Sequence, residues 1–415
     1  MAGGQFRTIG GVVRTRLAAM DAATGVATGW DPNANGNVAA LTIAGGTVYA
    51  GGAFTQVGGL PHPYVAAISL ASGAPLPWDP HCNAAVNALG NSAGIVYAGG
   101  TFRNFGGATR NRLAAFDTLT GLNTAWDPNA DSTVFALAVS GNTVLAGGLF
   151  KKLGSVAQTS GAGISLGGTP LWADLLMNGG PVYSVGFGAH GYLFGGAFTS
   201  VRSTGRNRAA AIDSSGALNM TWNPNANGVV NAIAGFRNLV VAGGTFTIIG
   251  SQSYRYLAEL DDLSGNAVAW DPEPDNSVQT VSLNIDLDAI YAGGTFTGVG
   301  LVPDAFMAGL TWGATAVGDP APALAPGRLA TAPNPFRSGT TLSFVISRAG
   351  RVRLGVYDSG GRLVRTLRDG VLDAGSHQVA WDGRDEAGNA VESGVYFFRA
   401  QTPGGERTSK AVRIH

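Results

Sequence analysis

The chain has 415 residues, of which 45% are apolar and only 13% charged, with 64 glycines and a formal net charge of zero. That balance argues against nucleic acid or an acidic membrane surface as the main partner, since either calls for a basic face. The single cysteine, Cys82, rules out an intramolecular disulfide, and no apolar run reaches the eighteen residues expected of a membrane-crossing helix.

The chain opens inside a pattern. Ala2-Gly-Gly-Gln-Phe6 is the first copy of an apolar-apolar-Ala-Gly-Gly-x-Phe string, best kept as Val96-Tyr-Ala-Gly-Gly-Thr-Phe102. The copies end at Phe6, Phe54, Phe102, Phe150, Phe198, Phe246 and Phe296, at spacings of 48, 48, 48, 48, 48 and 50 residues. A near-fixed period of this size, built of short strands, marks a propeller or another β-array.

Within a period the elements follow one order. Val134–Val139 is a first strand, Gly141-Asn142 a hairpin turn, and Val144–Phe150 a second strand carrying the paired glycines. Arg112–Asp117 in the preceding copy is a third strand, turned by Thr120-Gly121, and a fourth ends at Trp126 before Asp127-Pro-Asn-Ala130. Leu113, Ala114, Ala115 and Phe116 are apolar on both faces of the pleat, so both faces must be covered, as neighbouring blades would do. The expectation is an all-β chain: a seven-bladed β-propeller of four-stranded blades over residues 1–312, with the first blade incomplete. Paired glycines inside a strand imply close approach of a neighbour, with the recurring Trp30, Trp78, Trp126, Trp222 and Trp270 as candidates, and Trp172 and Trp312 in weaker contexts.

Asp21, Asp117, Asp213 and Asp261 close the third strand, and Arg16, Arg112 and Arg208 open it, with Tyr64 and Tyr256 in two copies. Turn-capping Asp and edge-packed Arg is the structural reading; a ring of Arg gripping an anion is the functional one. Residues 154–171 depart from the pattern, through drift or through remodelling for binding. Met1 falls within a second strand, so the first strand of that blade is expected either from the end of the array or, preferably, from sequence upstream, together with any signal peptide.

The string Trp-Asp-Pro-Asn-Ala-Asn-Gly, with Val-Tyr-Ala-Gly-Gly-Thr-Phe and Arg-Asn-Arg-Leu-Ala-Ala-Phe-Asp, resembles the delta-60 repeat family of bacterial surface β-propellers. The order of Gly-Gly, aromatic-Asp turn and Trp is also similar to kelch blades of the galactose-oxidase type.

Residues 313–331 read as a Pro/Ala/Gly linker. From Arg328 onward 13 Lys+Arg face 8 Asp+Glu, a net of +5, leaving the array at −5. Strands at 342–346, 352–357, 363–367, 377–381, 395–400 and 409–414, with turns about every ten residues, suggest a small Ig-like sandwich over 332–415. Ala332-Pro-Asn-Pro-Phe336, Val356-Tyr-Asp-Ser-Gly-Gly-Arg-Leu-Val364, Gly375–Asp385 and Gly394-Val-Tyr-Phe397 resemble the Ig-like domain of flagellar hook-capping proteins. The same set is similar to the C-terminal sorting domains of type IX secretion cargo, which implies export to the outer surface with the secretion machinery as partner.

Chemistry is not prominent. His62, His81, His190, His377 and His415 are scattered, and His81-Cys82 adjoin on a backbone that points neighbours apart. Asp271-Pro-Glu-Pro-Asp275 and Asn284-Ile-Asp-Leu-Asp288 are acidic but lack the glycine-bent spacing of a calcium loop. No nucleophile elbow, zinc helix or phosphate loop is present. No catalytic, cofactor-binding or metal-ligating residue is nominated, and no cofactor. The expected role is a secreted or cell-surface, non-enzymatic binding or display protein whose ligand is a surface glycan or protein. The alternative is a secreted propeller enzyme acting on carbohydrate as hydrolase, lyase or oxidase, which would need unequal inter-blade loops.

Overall fold

A computed structural model describes residues 1–21, 25–284, 289–300, 306–311, 329–332, 334, 336–337, 339–346, 348–373, 375–402 and 405–414. The expected linker (apart from its end), Trp312, His415, and most of the Asn284–Asp288 string lie outside them. Among the described residues every regular element is a strand. The chain divides into two compact units, Met1–Asn238 with Asp262–Ser264, and Leu239–Asp261 with Gly265–His415.

In the first unit the 48-residue period becomes one sheet per repeat. Val86–Ser92, Ile95–Gly100 and Leu113–Asp117 form an antiparallel meander, and the same three strands recur at Val134–Ser140, Thr143–Gly148 and Gly161–Ser165. Of this meander the first copy shows Ala2–Gly3 paired with Leu17–Ala18, the counterparts of second and third strands.

Where four strands are expected, three form. The fourth survives as one bridge to the third strand, Phe116 with Asn123 and Ile68 with Pro75, because turn residues and Pro then take the chain away. A feature absent from the expectation replaces it: after the Gly-Gly-x-Phe strings ending at Phe6, Phe54, Phe102, Phe150 and Phe198 the chain makes a two-residue hairpin, such as Asn104–Phe105 with Ala108–Thr109. Gly106 (φ 61°) and Gly107 (φ 74°) form its turn, both in the left-handed region that glycine enters without cost.

The core lies between successive sheets. One cluster joins Tyr97, Leu113 and Ala115 of one repeat to Val134, Val144, Phe150 and Ile164 of the next, and Trp126 belongs to it. The Trp indole also stitches repeats together: Trp30 Nε1 donates to Ser69 O (3.0 Å), Trp78 to Gly121 O (3.1 Å) and Trp126 to Ser165 O (3.0 Å).

The paired glycines have two separate causes, and neither is Trp. A Cβ on Gly51, Gly99 or Gly147 would stand 2.6, 2.7 or 2.5 Å from Cγ1 of Val86, Val134 or Val182, the first-strand Val of the next repeat. A Cβ on Gly52, Gly100 or Gly148 would strike the repeat's own main chain at Asn37, Ala85 or Thr133. That carbonyl sits where the first strand bulges, between Val38 and Ala40, Val86 and Ala88, or Val134 and Ala136. Trp instead presses on turn glycines, with Trp78 Cδ1 2.9 Å from the Cβ that Gly121 lacks.

The second unit holds the later repeats and a two-sheet sandwich. Val278–Asn284, Ala289–Gly294 and Met307–Thr311 repeat the meander. In the sandwich, Leu329–Ala332, Thr340–Ile346 and Gly375–Trp381 make one sheet. Leu363–Leu372, Gly350–Asp358, Gly394–Thr402 and Gly405–Arg413 make the other. The end of the expected linker is thus a strand, Leu329 pairing with Phe344. Trp381 sits at the centre, with ring centroids 5.4, 5.1 and 5.7 Å from those of Phe336, Tyr396 and Phe398. Asn334 joins the two sheets: its Nδ2 donates to Lys410 O (3.0 Å) and its Oδ1 accepts from Val412 N (2.7 Å). An amide flanked by prolines, which offer no N–H, thereby supplies both halves of a strand pairing.

Candidate functional site

The recurring Arg and Asp serve the backbone. Arg16, Arg112 and Arg208 donate from Nη1 to Ala34 O (3.1 Å), Ala130 O (2.9 Å) and Ala226 O (3.0 Å), in the loop that follows each third strand. Guanidinium groups spent in this way hold a loop in place, a role that the expected edge packing did not include. Asp117 Oδ1 accepts from Leu119 N, Thr120 N and Thr120 Oγ1 (2.8–3.0 Å), and these bonds hold its carboxyl below the usual range, those from Thr120 most strongly.

The residue opening the third strand has a property that sequence reasoning missed. Arg16, Tyr64, Arg112, Ser160, Arg208, Tyr256 and Phe306 all have φ between 62° and 69° without being glycine. Such a conformation costs on the order of 1 kcal/mol per residue. Two backbone hydrogen bonds fix it each time: Arg112 N donates to Phe102 O (2.8 Å) and Gly100 N donates to Arg112 O (3.0 Å). The side chain is free to vary because the main chain alone holds the position, so no residue type signals it.

The tempting clusters do not converge. The His81 side chain is 80% exposed, with Nδ1 3.2 Å from Asp79, whereas Cys82 is buried and gives its Sγ proton to Ala84 O. Burial pushes the Cys82 thiol up to about 11, out of the nucleophilic range. Asp275 accepts from Thr297 N (2.7 Å) and Thr297 Oγ1 (2.6 Å), Glu273 pairs with Arg337, and burial raises Asp271. Among the described residues no group of three or more His, Cys, Asp or Glu is placed to hold a metal.

Two buried acids stand out. Asp262 accepts from His190 N (2.8 Å) and His190 Nδ1 (2.9 Å), with the Asp side chain 1% exposed and the imidazole 42%. The two residues lie 72 apart, beyond the reach of any motif. Glu259 is fully buried on the Leu257–Asp261 strand, both oxygens lack a partner, and desolvation pushes its carboxyl up to about 8.

Residues 335–406 match the FlgD Ig-like domain. No curated protein matches the chain. Among solved structures, it aligns with the computationally designed Ika8 protein at 15% identity and a TM-score of 0.45, over 90% of this chain and 97% of that one. It aligns with PorZ, a bacterial surface component of the type IX secretion system of Porphyromonas gingivalis, at 17% identity and a TM-score of 0.32, over 94% of this chain and 48% of that one. FlgD from P. aeruginosa aligns at 33% identity and a TM-score of 0.15, over 18% of this chain and 58% of that one.

Proposed function

We propose that this chain is a secreted or cell-surface binding scaffold, with the repeats as the display platform and the Ig-like domain as the export or anchoring element. The observation that carries the reading is the match of residues 335–406 to the FlgD Ig-like domain, following an array whose recurring charges are spent on its own main chain. The repeats close as a seven-bladed propeller. Support comes from sheets that cover each other's faces, from Trp bonds running repeat to repeat, and from glycines that admit the next repeat's Val. Type IX secretion machinery is the proposed export partner, and a surface glycan or protein the ligand.

The test is expression in a bacterium that has type IX secretion, behind a signal peptide of that bacterium and with or without residues 329–415. Antibody labelling of intact cells is expected only for the full chain and only in the secretion-competent strain. A full chain retained inside such cells would overturn the assignment. Averaged electron micrographs are expected to show a seven-lobed disc, and an open stack would remove the propeller.

One observation favours the enzymatic alternative. A buried carboxylate fixing an imidazole through Nδ1, as Asp262 does for His190, is an arrangement used in acid–base catalysis. Polysaccharide turnover that disappears in His190→Ala would establish it; under the scaffold reading neither protein turns over substrate.

A further inference from the structure

We infer that the first strands of the repeats present a binding face for a neutral glycan, with Phe135 and Tyr183 as a stacking platform and Asn87 beside them. The inference deepens the binding-scaffold reading and rests on it. It begins with the bulge in the first strand, found between Val38 and Ala40, Val86 and Ala88, Val134 and Ala136, Val182 and Ser184, and Val278 and Thr280. The residue in the middle has no partner on the second strand, and a bulge re-aims such a side chain. The residues on either side barely change from repeat to repeat: Val before, and Ala, Ser or Thr after. The bulged residue itself does change, from Ala39 to Asn87, Phe135, Tyr183 and Gln279. The repeats thus keep the device and vary what it displays, as rigid scaffolds do at their binding surfaces.

The displayed side chains meet across repeats. First strands of successive repeats lie side by side, with Thr42 Oγ1 donating to Asn91 Oδ1 (2.8 Å) and Ile233 N to Ser184 Oγ (2.9 Å). Asn87 Nδ2 donates to Val134 O (3.0 Å), the residue before Phe135, and this bond fixes the amide close to that position. The Phe135 and Tyr183 ring centroids are 5.4 Å apart, with the ring planes at 43°. Tyr183 stays 38% exposed and Phe135 half-buried. A pyranose has an apolar C–H face, which stacks on an aromatic ring, and a rim of hydroxyls, which an amide both donates to and accepts from. No bulged residue carries a charge, so neither a polyanion nor a polycation finds a counter-charge in the row. An extended peptide would add to a regular strand edge, and these bulges spoil that edge.

The experiment titrates the full chain with cellohexaose, chitohexaose and maltohexaose, read by calorimetry and by saturation transfer from aromatic protons. Saturable binding of at least one oligosaccharide is expected. Tyr183→Ala, and Phe135→Leu, which removes the ring but keeps the bulk, should each weaken it about tenfold. Tyr183→Phe keeps the ring and should stay within about threefold of the parent. Leu119→Ala removes an apolar side chain that is 92% exposed in a turn after a third strand and should leave affinity unchanged. Thermal unfolding confirms that each variant is folded, and the exposed Tyr183 keeps the test valid if Phe135→Leu is not. Binding that survives both ring losses, or that falls equally in Leu119→Ala, overturns the platform and leaves the scaffold reading in place. No binding of any of these sugars overturns the glycan as ligand, and saturable binding of decaproline in their place would hand the face to a protein partner. The scaffold reading fails separately, by loss of surface labelling.

Discussion

The repeat array and the Ig-like domain use arginine in opposite ways. In the array its partners are mostly carbonyl oxygens: Arg112 on Ala130, Arg208 on Ala226, and the buried Arg206 on Gly205, Asn219 and Met220. In the sandwich its partners are carboxylates at the surface: Arg351 with Asp369, Arg362 with Asp358, Arg365 with Asp382 and Arg399 with Glu406. The cores differ to match. The sandwich fills its interior with large side chains around Trp381, whereas the array keeps room for the next repeat by leaving side chains out. One region is held by main-chain geometry repeated many times; the other by side-chain packing, with its charges left at the surface.

Glu259 breaks the rule of the array, and removing it should produce the largest effect. The aligned positions carry Ala67, Ala115, Gly163 and Ala211, and at Gly163 even a Cβ would stand 2.5 Å from Trp172. The unfolded chain ionises Glu259 near 4.5, but the folded one keeps the proton until about 8. The contribution of Glu259 to folding stability is therefore greatest below about pH 4.5, declines between 4.5 and 8, and is flat above. Glu259→Ala should raise stability at pH 8 by on the order of 3–5 kcal/mol and flatten that slope. Denaturant unfolding at pH 4.5, 6 and 8 checks it, and an unchanged slope in the variant would refute the buried neutral acid.

Next in size is the glycine comparison. Gly99→Val drives methyl groups into Val134 of the next repeat, where a Cβ alone stands 2.7 Å from Cγ1. The expected cost is about 3 kcal/mol, read as a lower unfolding midpoint. Gly370→Val in the sandwich meets nothing within 4 Å and should stay within about 0.5 kcal/mol of the parent. Equal losses at the two sites would erase the distinction between the regions.

What was legible in the sequence follows the same division. Repetition exposed the period, the paired glycines, the capping Asp and the covered strands, because each signal occurs several times. The Ig-like strands could be read from turn spacing and from motifs that match a family model. The left-handed residue at Arg112 and its counterparts stayed hidden because the main chain, not a residue type, encodes it. Gly106-Gly107 did carry a hairpin signal, but two-residue strands are too short to show a period. The His190–Asp262 pair could not be seen beforehand, since it joins residues 72 apart.

Trp126→Phe tests the link between repeats. It removes the donor that reaches Ser165 O at 3.0 Å and leaves that carbonyl without its indole partner, at a cost of about 1–2 kcal/mol. Trp381→Phe also loses a carbonyl bond, to Arg384 O at 2.8 Å, but that bond spans only three residues. Hydrogen exchange should therefore speed up in the repeat after Trp126, beyond the site of change, and only locally around Trp381.

The smallest effects separate the two uses of arginine by salt. Arg112→Gln gives up a half-buried bond to Ala130 O, worth about 1 kcal/mol, and the acceptor is a neutral carbonyl. Arg365→Gln gives up an exposed ion pair with Asp382, worth at most about 0.5 kcal/mol, which ions screen within about 3 Å at 1 M salt. In unfolding titrations the first loss should persist from low salt to 1 M NaCl, and the second should vanish. A loss at Arg112 that fades with salt would mean that its charge, rather than its donor geometry, holds the loop, and the array would then depend on electrostatics as the sandwich surface does.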